Sequence, residues 1–247
     1  METRTSILSV LNDKKVIVLG ASSGIGLATA KAAAKEGAQV IIVSGNQERI
    51  DQALKEMPAS SEGYAIDLQD ENNIKYFFGQ VGNFDHLVYT AGSNINPKNL
   101  VDLDLETAHD YFKLRFWSPF AAIKYAVPHI NSGGSITLTS GIANPRPGKG
   151  WSLGASTSGA MEGLTRAMAV ELAPIRVNIV SPGVVKTNLW SGLTETDREH
   201  FYKTVGDALL VRRIGEPDDI AQTYLYLMKQ PFSTGQVVIV DGGAVLV

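Results

Sequence analysis

Short apolar runs recur along the chain, and between them apolar positions return every three to four residues. The runs fall at 15–19, 39–43, 63–66, 86–89, 135–139, 176–180 and 237–240. Several are apolar without alternation, the pattern of parallel strands covered on both faces. The periodic stretches lie near 24–36, 47–56, 70–80, 105–130, 155–173, 195–204 and 217–229, and these predict helices. Strands and helices alternating in this order predict an α/β fold. Its core would be a doubly wound parallel sheet of seven strands with helices on both faces.

No repeat, low-complexity tract or linker interrupts the pattern, so residues 1–247 read as one domain. Pro and Gly cluster at 143–150, ANPRPGKG, directly after the fifth predicted strand. That places a loop at the carboxyl edge of the sheet, where open α/β sheets bind ligands. Residues 184–212 separate the sixth strand from the last helix. Their Trp190, Leu193, Phe201 and Tyr202 suggest a lid over an apolar substrate pocket, with a plain packing excursion as the other reading.

Composition narrows the function classes. A net charge of −3 with no Lys/Arg block argues against nucleic acid as a partner. No apolar run approaches the ~18 residues of a membrane span. The start, METRTSILSVLNDKK, lacks a secretory pattern, so a cytoplasmic protein is expected. The chain has no Cys, which excludes disulfides, thiolate nucleophiles and zinc–thiolate sites. His86, His109, His129 and His200 are scattered without metal-ligand spacing, so no metal is expected.

The chemistry concentrates after the first strand, in Gly20-x-x-x-Gly24-Ile25-Gly26. Glycines there let the backbone turn tightly against a pyrophosphate, and the following helix offers free N–H groups and a positive dipole end. Ser22 and Ser23 add hydroxyls. Placed between a strand and a helix, this turn signals a Rossmann-type dinucleotide site. An NAD-preferring site sets Asp or Glu about 20 residues on, to hold the ribose 2′-hydroxyl. Here the second strand runs out into Ser44-Gly45-Asn46-Gln47, without an acid. Ser44 and Asn46 could donate to a 2′-phosphate and Arg49 could reach it, so NADP(H) is expected over NAD(H). The alternative is that these are turn residues only.

Jointly with further motifs, this turn resembles the short-chain dehydrogenase/reductase family over essentially the whole chain. Asp67-Leu68 matches the family's adenine contact, and Thr90-Ala91-Gly92 matches its Asn-Asn-Ala-Gly turn without the Asn pair. Pro182-Gly183-Val184-Val185-Lys186-Thr187 matches the turn that clasps the nicotinamide amide. Arg213-Ile214-Gly215-Glu216-Pro217 and Asp241-Gly242-Gly243 match its C-terminal pattern. The resemblance implies a homodimer or homotetramer, through helices corresponding to 105–130 and 155–173.

The family's catalytic four are Asn, Ser, Tyr and Lys. Aligning through Glu162-Gly163-Leu164-Thr165 puts Tyr at Gly154 and Lys at Ser158, Ser at Gly141 beside Ser140, and Asn at Arg115. In the usual enzyme Tyr protonates the carbonyl oxygen as hydride arrives, and Lys makes a phenol of pKa ~10 acidic enough. Gly and Ser cannot do this. A substrate that needs no proton, such as an iminium ion, could still accept hydride.

A narrower likeness lies in Leu114-Arg115-Phe116, Thr137–Gly141, Gly150-Trp-Ser-Leu153 and Ile175-Arg-Val-Asn178. These look similar to atypical fungal members of the family, including NADPH-dependent reductase/Diels–Alderases of indole-alkaloid pathways. By that resemblance Arg115 and Trp151 line the reactive pocket. The related enzymes carry an acid in the loop before this Trp. Here that stretch is Arg146-Pro147-Gly148-Lys149-Gly150.

The catalytic candidates are therefore Arg115, Trp151 and Ser140. Arg115 could hold a substrate carbonyl or stabilise an oxyanion, or could simply tie backbone carbonyls together. Trp151 could stack on a flat or cationic substrate, or only pack beneath its loop. Ser140 could bond a carbonyl or satisfy backbone. Lys149 is the one ionisable loop residue that could serve as an acid, though loop lysines are usually solvated. Three functions follow. The leading one is an NADP(H)-dependent oxidoreductase of atypical mechanism, acting on a bulky small molecule in specialised metabolism. The second is a non-redox cyclase or isomerase that keeps the cofactor as a wall. The third is a non-catalytic dinucleotide-binding protein.

Overall fold

The structure is a computed structural model and describes residues 11–94 and 97–247. Seven strands form one parallel sheet: β1 (Lys15–Leu19), β2 (Gln39–Ser44), β3 (Glu62–Ala65), β4 (Phe84–Tyr89), β5 (Ile130–Thr139), β6 (Arg176–Pro182) and β7 (Val237–Val240). Their order across the sheet is β3-β2-β1-β4-β5-β6-β7. The chain therefore winds outward from β1 in one direction, returns, and continues from β4 in the other. The gap between the carboxyl ends of β1 and β4 is the topological switch point, where such sheets leave a crevice.

The unbroken apolar strands are explained by helices on both faces. Ile17, Leu19, Ile41 and Val43 face one layer, against α3 (Glu71–Val81), α5 (Ser118–Ala126) and α6 (Ser152–Glu171). Val16, Val18, Val40 and Ile42 face the other, against α1 (Gly24–Lys35), α2 (Gln47–Leu54) and α8 (Pro217–Lys229). Two polar residues of β6 fasten the far side. Buried Arg176 donates to Leu227 O at 2.6 Å and Met228 O at 2.8 Å, satisfying carbonyls in the last turn of α8. Asn178 donates to Ser233 O at 2.8 Å and accepts from the Gln236 N–H at 3.1 Å.

Helix 105–130 is not continuous. α4 (Leu105–Phe112) runs into a π-helical segment, Lys113–Trp117, before α5. Pro119 is the cause. It has no N–H for the carbonyl four residues back, that of Arg115, and its ring crowds that turn. The backbone widens, and Ser118 bonds Lys113 O through its hydroxyl at 2.9 Å. The other elements differ at their ends. α6 begins at Ser152 rather than 155, β5 begins at Ile130 rather than 135, and α7 (Glu195–Ala208) extends past 204. Among the described residues, no helix is long and apolar enough to cross a membrane.

Candidate active site

A cleft of about 450 Å³ opens at the switch point, lined from β1, β4, β5 and β6 and the loops that follow them. Its first wall is the glycine-rich turn. Gly20 has φ +88°, and a β-carbon on it would stand 2.4 Å from Ala91 N. A β-carbon on Gly26 would stand 2.4 Å from Gly20 O. Only hydrogen fits at either place, so the turn stays low and leaves the space above it open. Ser23 precedes α1 in extended conformation and makes no side-chain cap. The first-turn N–H groups of α1 therefore remain available for an anion.

The remaining cofactor candidates gather on the same cleft. Ser22, Gly24, Ile25, Ser44, Asp67 and Leu68 line it, as do Ala91, Gly92, Pro182, Gly183, Val185 and Thr187. Ser22 and Ser44 share a hydrogen bond between hydroxyls at 2.9 Å. Asp67 accepts from the Gln69 N–H at 2.9 Å, and Thr187 from the Leu189 N–H at 3.3 Å. Asn46 is the exception. Its side-chain oxygen caps α2 by accepting the Arg49 N–H at 2.9 Å, and it does not line the cleft; Arg49 does. The cradle and open helix terminus fit a dinucleotide diphosphate. Two hydroxyls and a guanidinium, with Asp67 the one acid among the described residues of the same lining, fit a phosphate on the adenine-side ribose.

At the other end, the four positions aligned with the family's catalytic residues also meet. Arg115, Gly141, Gly154 and Ser158 all line the cleft. Arg115 leaves the π-helical segment and donates through Nη2 to Ser93 O at 2.5 Å. Its Cζ lies 4.7 Å from the centroid of the Tyr111 ring. Its Nε is buried without a partner. Both readings of Arg115 thus have a structural basis: one nitrogen ties a loop carbonyl, while the side chain also lines the cleft.

Trp151 stands where α6 begins. A β-carbon on Gly154 would lie 3.1 Å from its Cε3, and one on Gly148 3.2 Å from its Cδ1. Two glycines thus make room for the indole. Trp190 meets it edge-on at 6.5 Å between centroids, and Phe201 of α7 lies 4.7 Å beyond Trp190. Trp190 is buried and donates to Val185 O at 3.0 Å. Residues 184–212 therefore reach the cleft through Val184, Val185, Thr187, Asn188, Leu189 and Trp190, while Leu193 is partly exposed.

Ser140 lines the floor, and its buried Oγ has no hydrogen-bond partner. Ser158 is buried beside it, its Oγ 3.7 Å from where a Gly141 β-carbon would be. Lys149 is exposed and does not line the cleft. The loop is held by other residues. Asn144 donates to Glu162 at 2.9 Å, and Arg146 donates to Ala244 O. Asp67 is the only carboxylate among the described residues lining the cleft.

Two tyrosines of the cleft are absent from the sequence-based candidates. Tyr89 ends an apolar strand and gives no signal there. It is buried, donates to Leu114 O at 2.8 Å, and burial pushes its phenol far above the ordinary range, so it is no acid. Tyr111 does carry a signal: it precedes Arg115 by four residues, the spacing of side chains that meet on a helix.

Comparisons with known proteins identify the family. The family model described as enoyl-(acyl carrier protein) reductase matches residues 20–245. A short-chain dehydrogenase/reductase of Stachybotrys chlorohalonatus is 36% identical, over 97% of this chain and 100% of its own. The reductase/Diels-Alderase MalC from Malbranchea aurantiaca is 30% identical in structural alignment, with a TM-score of 0.89 over 97% of this chain and 99% of its own. A small-chain dehydrogenase in complex with NADPH is 35% identical, with a TM-score of 0.85 over 96% of this chain and 100% of its own. With the glycine cradle at the switch point and these matches across nearly its full length, the chain belongs to the short-chain dehydrogenase/reductase family.

Proposed function

We propose that this protein is an NADP(H)-dependent oxidoreductase that works without a Tyr–Lys proton donor, on a bulky, largely apolar small molecule. The observation that carries this reading is the pairing within one cleft. The cradle for a dinucleotide is complete, yet at the reactive end Trp151 covers Gly154 where a tyrosine would stand.

NADPH, when bound, supplies hydride to an electron-poor carbon. The protein's own residues bind and orient. The glycine turn and α1 terminus take the diphosphate, and Ser22, Ser44 and Arg49 take the 2′-phosphate. Likeness to a dehydrogenase in complex with NADPH supports that choice. Trp151 and Trp190 form an aromatic wall that excludes water and favours a flat or cationic substrate. Arg115 and Ser140, which both line the cleft, hold an oxygen of the substrate, away from the hydride-accepting carbon. An iminium carbon that receives hydride becomes a neutral amine, and no proton is needed. Likeness to fungal family members supports a role in specialised metabolism.

The test is NADPH oxidation, followed by nicotinamide absorbance, against a panel of iminium ions, enones and simple ketones. Consumption with iminium ions, or with polarised enones whose product enolate takes its proton from solvent, and little with ketones, is the expected result. Equal consumption with ketones would reject the proton-independent mechanism. A second reading, a non-redox cyclase that keeps the nucleotide as a wall, draws on the likeness to a reductase/Diels-Alderase. It predicts product formation as fast with NADP⁺ as with NADPH. We also propose pairing with a second copy through α4–α6, where Trp117 and Phe120 stand exposed in mutual edge contact at 6.0 Å. Sedimentation of the Trp117→Glu variant as a smaller species would support it.

A further inference from the structure

Beside the cleft lies a second cavity of about 330 Å³, between α4, the start of α6 and the loop before α4. The two cavities share Gln69, Asn94, Tyr111, Leu114, Trp151 and Gly154 as common walls. The second is finished by Leu103, Pro97 and Leu153, with Thr107 and Asp110 toward its outer side. Ser93, Lys98 and Ser152 add polar groups to a lining that is otherwise largely hydrocarbon and ring.

Gly154 is one of the residues that line both. It lies in the first turn of α6 and faces both cavities, with Trp151 on one side and Ala143 on the other. A β-carbon there would already stand 3.1 Å from the indole and 3.6 Å from the Ala143 β-carbon. Any longer side chain must fill the connection or push the indole aside.

We propose that the cleft passes beside Trp151 into the second cavity, which holds an apolar arm of the substrate, and that Gly154 determines this specificity by seating the indole between the two. This rests on the reading of the cleft as the nucleotide and substrate site. The substrate class it implies is two-lobed. One lobe is electron-poor and sits against Arg115 and Ser140. The other is an apolar group about one or two rings in size, lodged between Leu103, Leu153 and Tyr111. The absent side chain at 154 is then a gain in reach as well as the loss of an acid.

Equilibrium dialysis with two ketone probes, acetophenone and 4-acetylbiphenyl, tests the passage without any turnover. The second ring of the biphenyl is the arm. In the unmodified protein the two-ring probe should bind at least about tenfold tighter, the gain expected for burying one further ring. The Leu103→Trp and Leu153→Trp variants fill the cavity from its far side, and Gly154→Leu displaces the indole that divides it from the cleft. Each should erase the two-ring advantage while a fluorescence titration with NADPH gives an unchanged Kd. Equal binding of the two probes to the unmodified protein would overturn the proposal. So would an advantage that survives both cavity-filling variants. Dialysis is run without nucleotide, so failure of NADPH to bind would reject the oxidoreductase reading while the probe comparison still decides the passage.

Discussion

The indole of Trp151 lies across Gly154, with its Cε3 3.1 Å from the place a β-carbon would take. The pair is mutually exclusive with a larger residue at 154. A tyrosine there cannot be added while Trp151 stays. Gly154→Tyr is therefore expected to expel the indole from beside Trp190 and shift tryptophan emission to the red. Gly154→Tyr combined with Ser158→Lys should still fail to reduce simple ketones, since the wall has been displaced. An unshifted emission spectrum would show that the site tolerates both rings.

Arg115 is held by Ser93 O and by the Tyr111 ring, with Nε left over. Arg115→Met keeps the stem and removes the donors. It should lower kcat/KM by about 10²-fold, the size of losing one preorganised donor in a catalytic pocket, and leave the NADPH Kd within about twofold. Arg115→Lys should not rescue, because an ammonium lacks the planar fork. Steady-state kinetics beside a nucleotide titration separate these outcomes.

The adenine-side ribose end makes a third prediction. Arg49 lines the cleft, whereas Asn46 caps α2. Arg49→Ala should weaken NADPH about tenfold and NADH hardly at all. Ser44→Asp should invert the preference by repelling the 2′-phosphate and offering a partner to the 2′-hydroxyl. Asn46→Ala should instead act on stability, costing about 1 kcal/mol as the loss of an N-cap. Paired nucleotide titrations and thermal melts tell the roles apart.

Much of the fold and cleft is legible in the residues, for definable reasons. Unbroken apolar runs identify strands because both faces of the sheet are covered, as with Val16 to Leu19. The turn at Gly20–Gly26 is readable because few residues other than glycine tolerate such approaches. The break in helix 105–130 escapes apolar periodicity, which does not register a widened turn; Pro119 is its sign. Asn46 mimics a ligand contact in sequence because capping and phosphate binding use the same residue types. The contact of Trp151 with Gly154 depends on how loop 143–150 folds back, which spacing alone does not specify.

His86 supplies a pH prediction remote from the cleft. It is buried on β4, bonded to Ser135 Oγ at 2.9 Å, and burial lowers its pKa from 6.5 to about 4. The folded state thus favours neutral imidazole, while the unfolded chain protonates near 6.5. Its stabilising contribution is complete above pH 6.5 and is lost as pH falls toward 4, on the order of 3 kcal/mol at most. Urea denaturation between pH 7.5 and 4.5 should show that decline. A His86→Gln variant should show a shallower one.

The central claim is hydride transfer from NADPH without a protein proton donor. The most direct measurement is a single-turnover reaction with NADPH carrying deuterium at the transferred position, on an iminium ion selected from the oxidation panel. The account predicts one deuterium in the amine product and a rate flat from about pH 6 to 9, since no group on the protein titrates in the step. Unlabelled product, or the same product formed with NADP⁺, would contradict it.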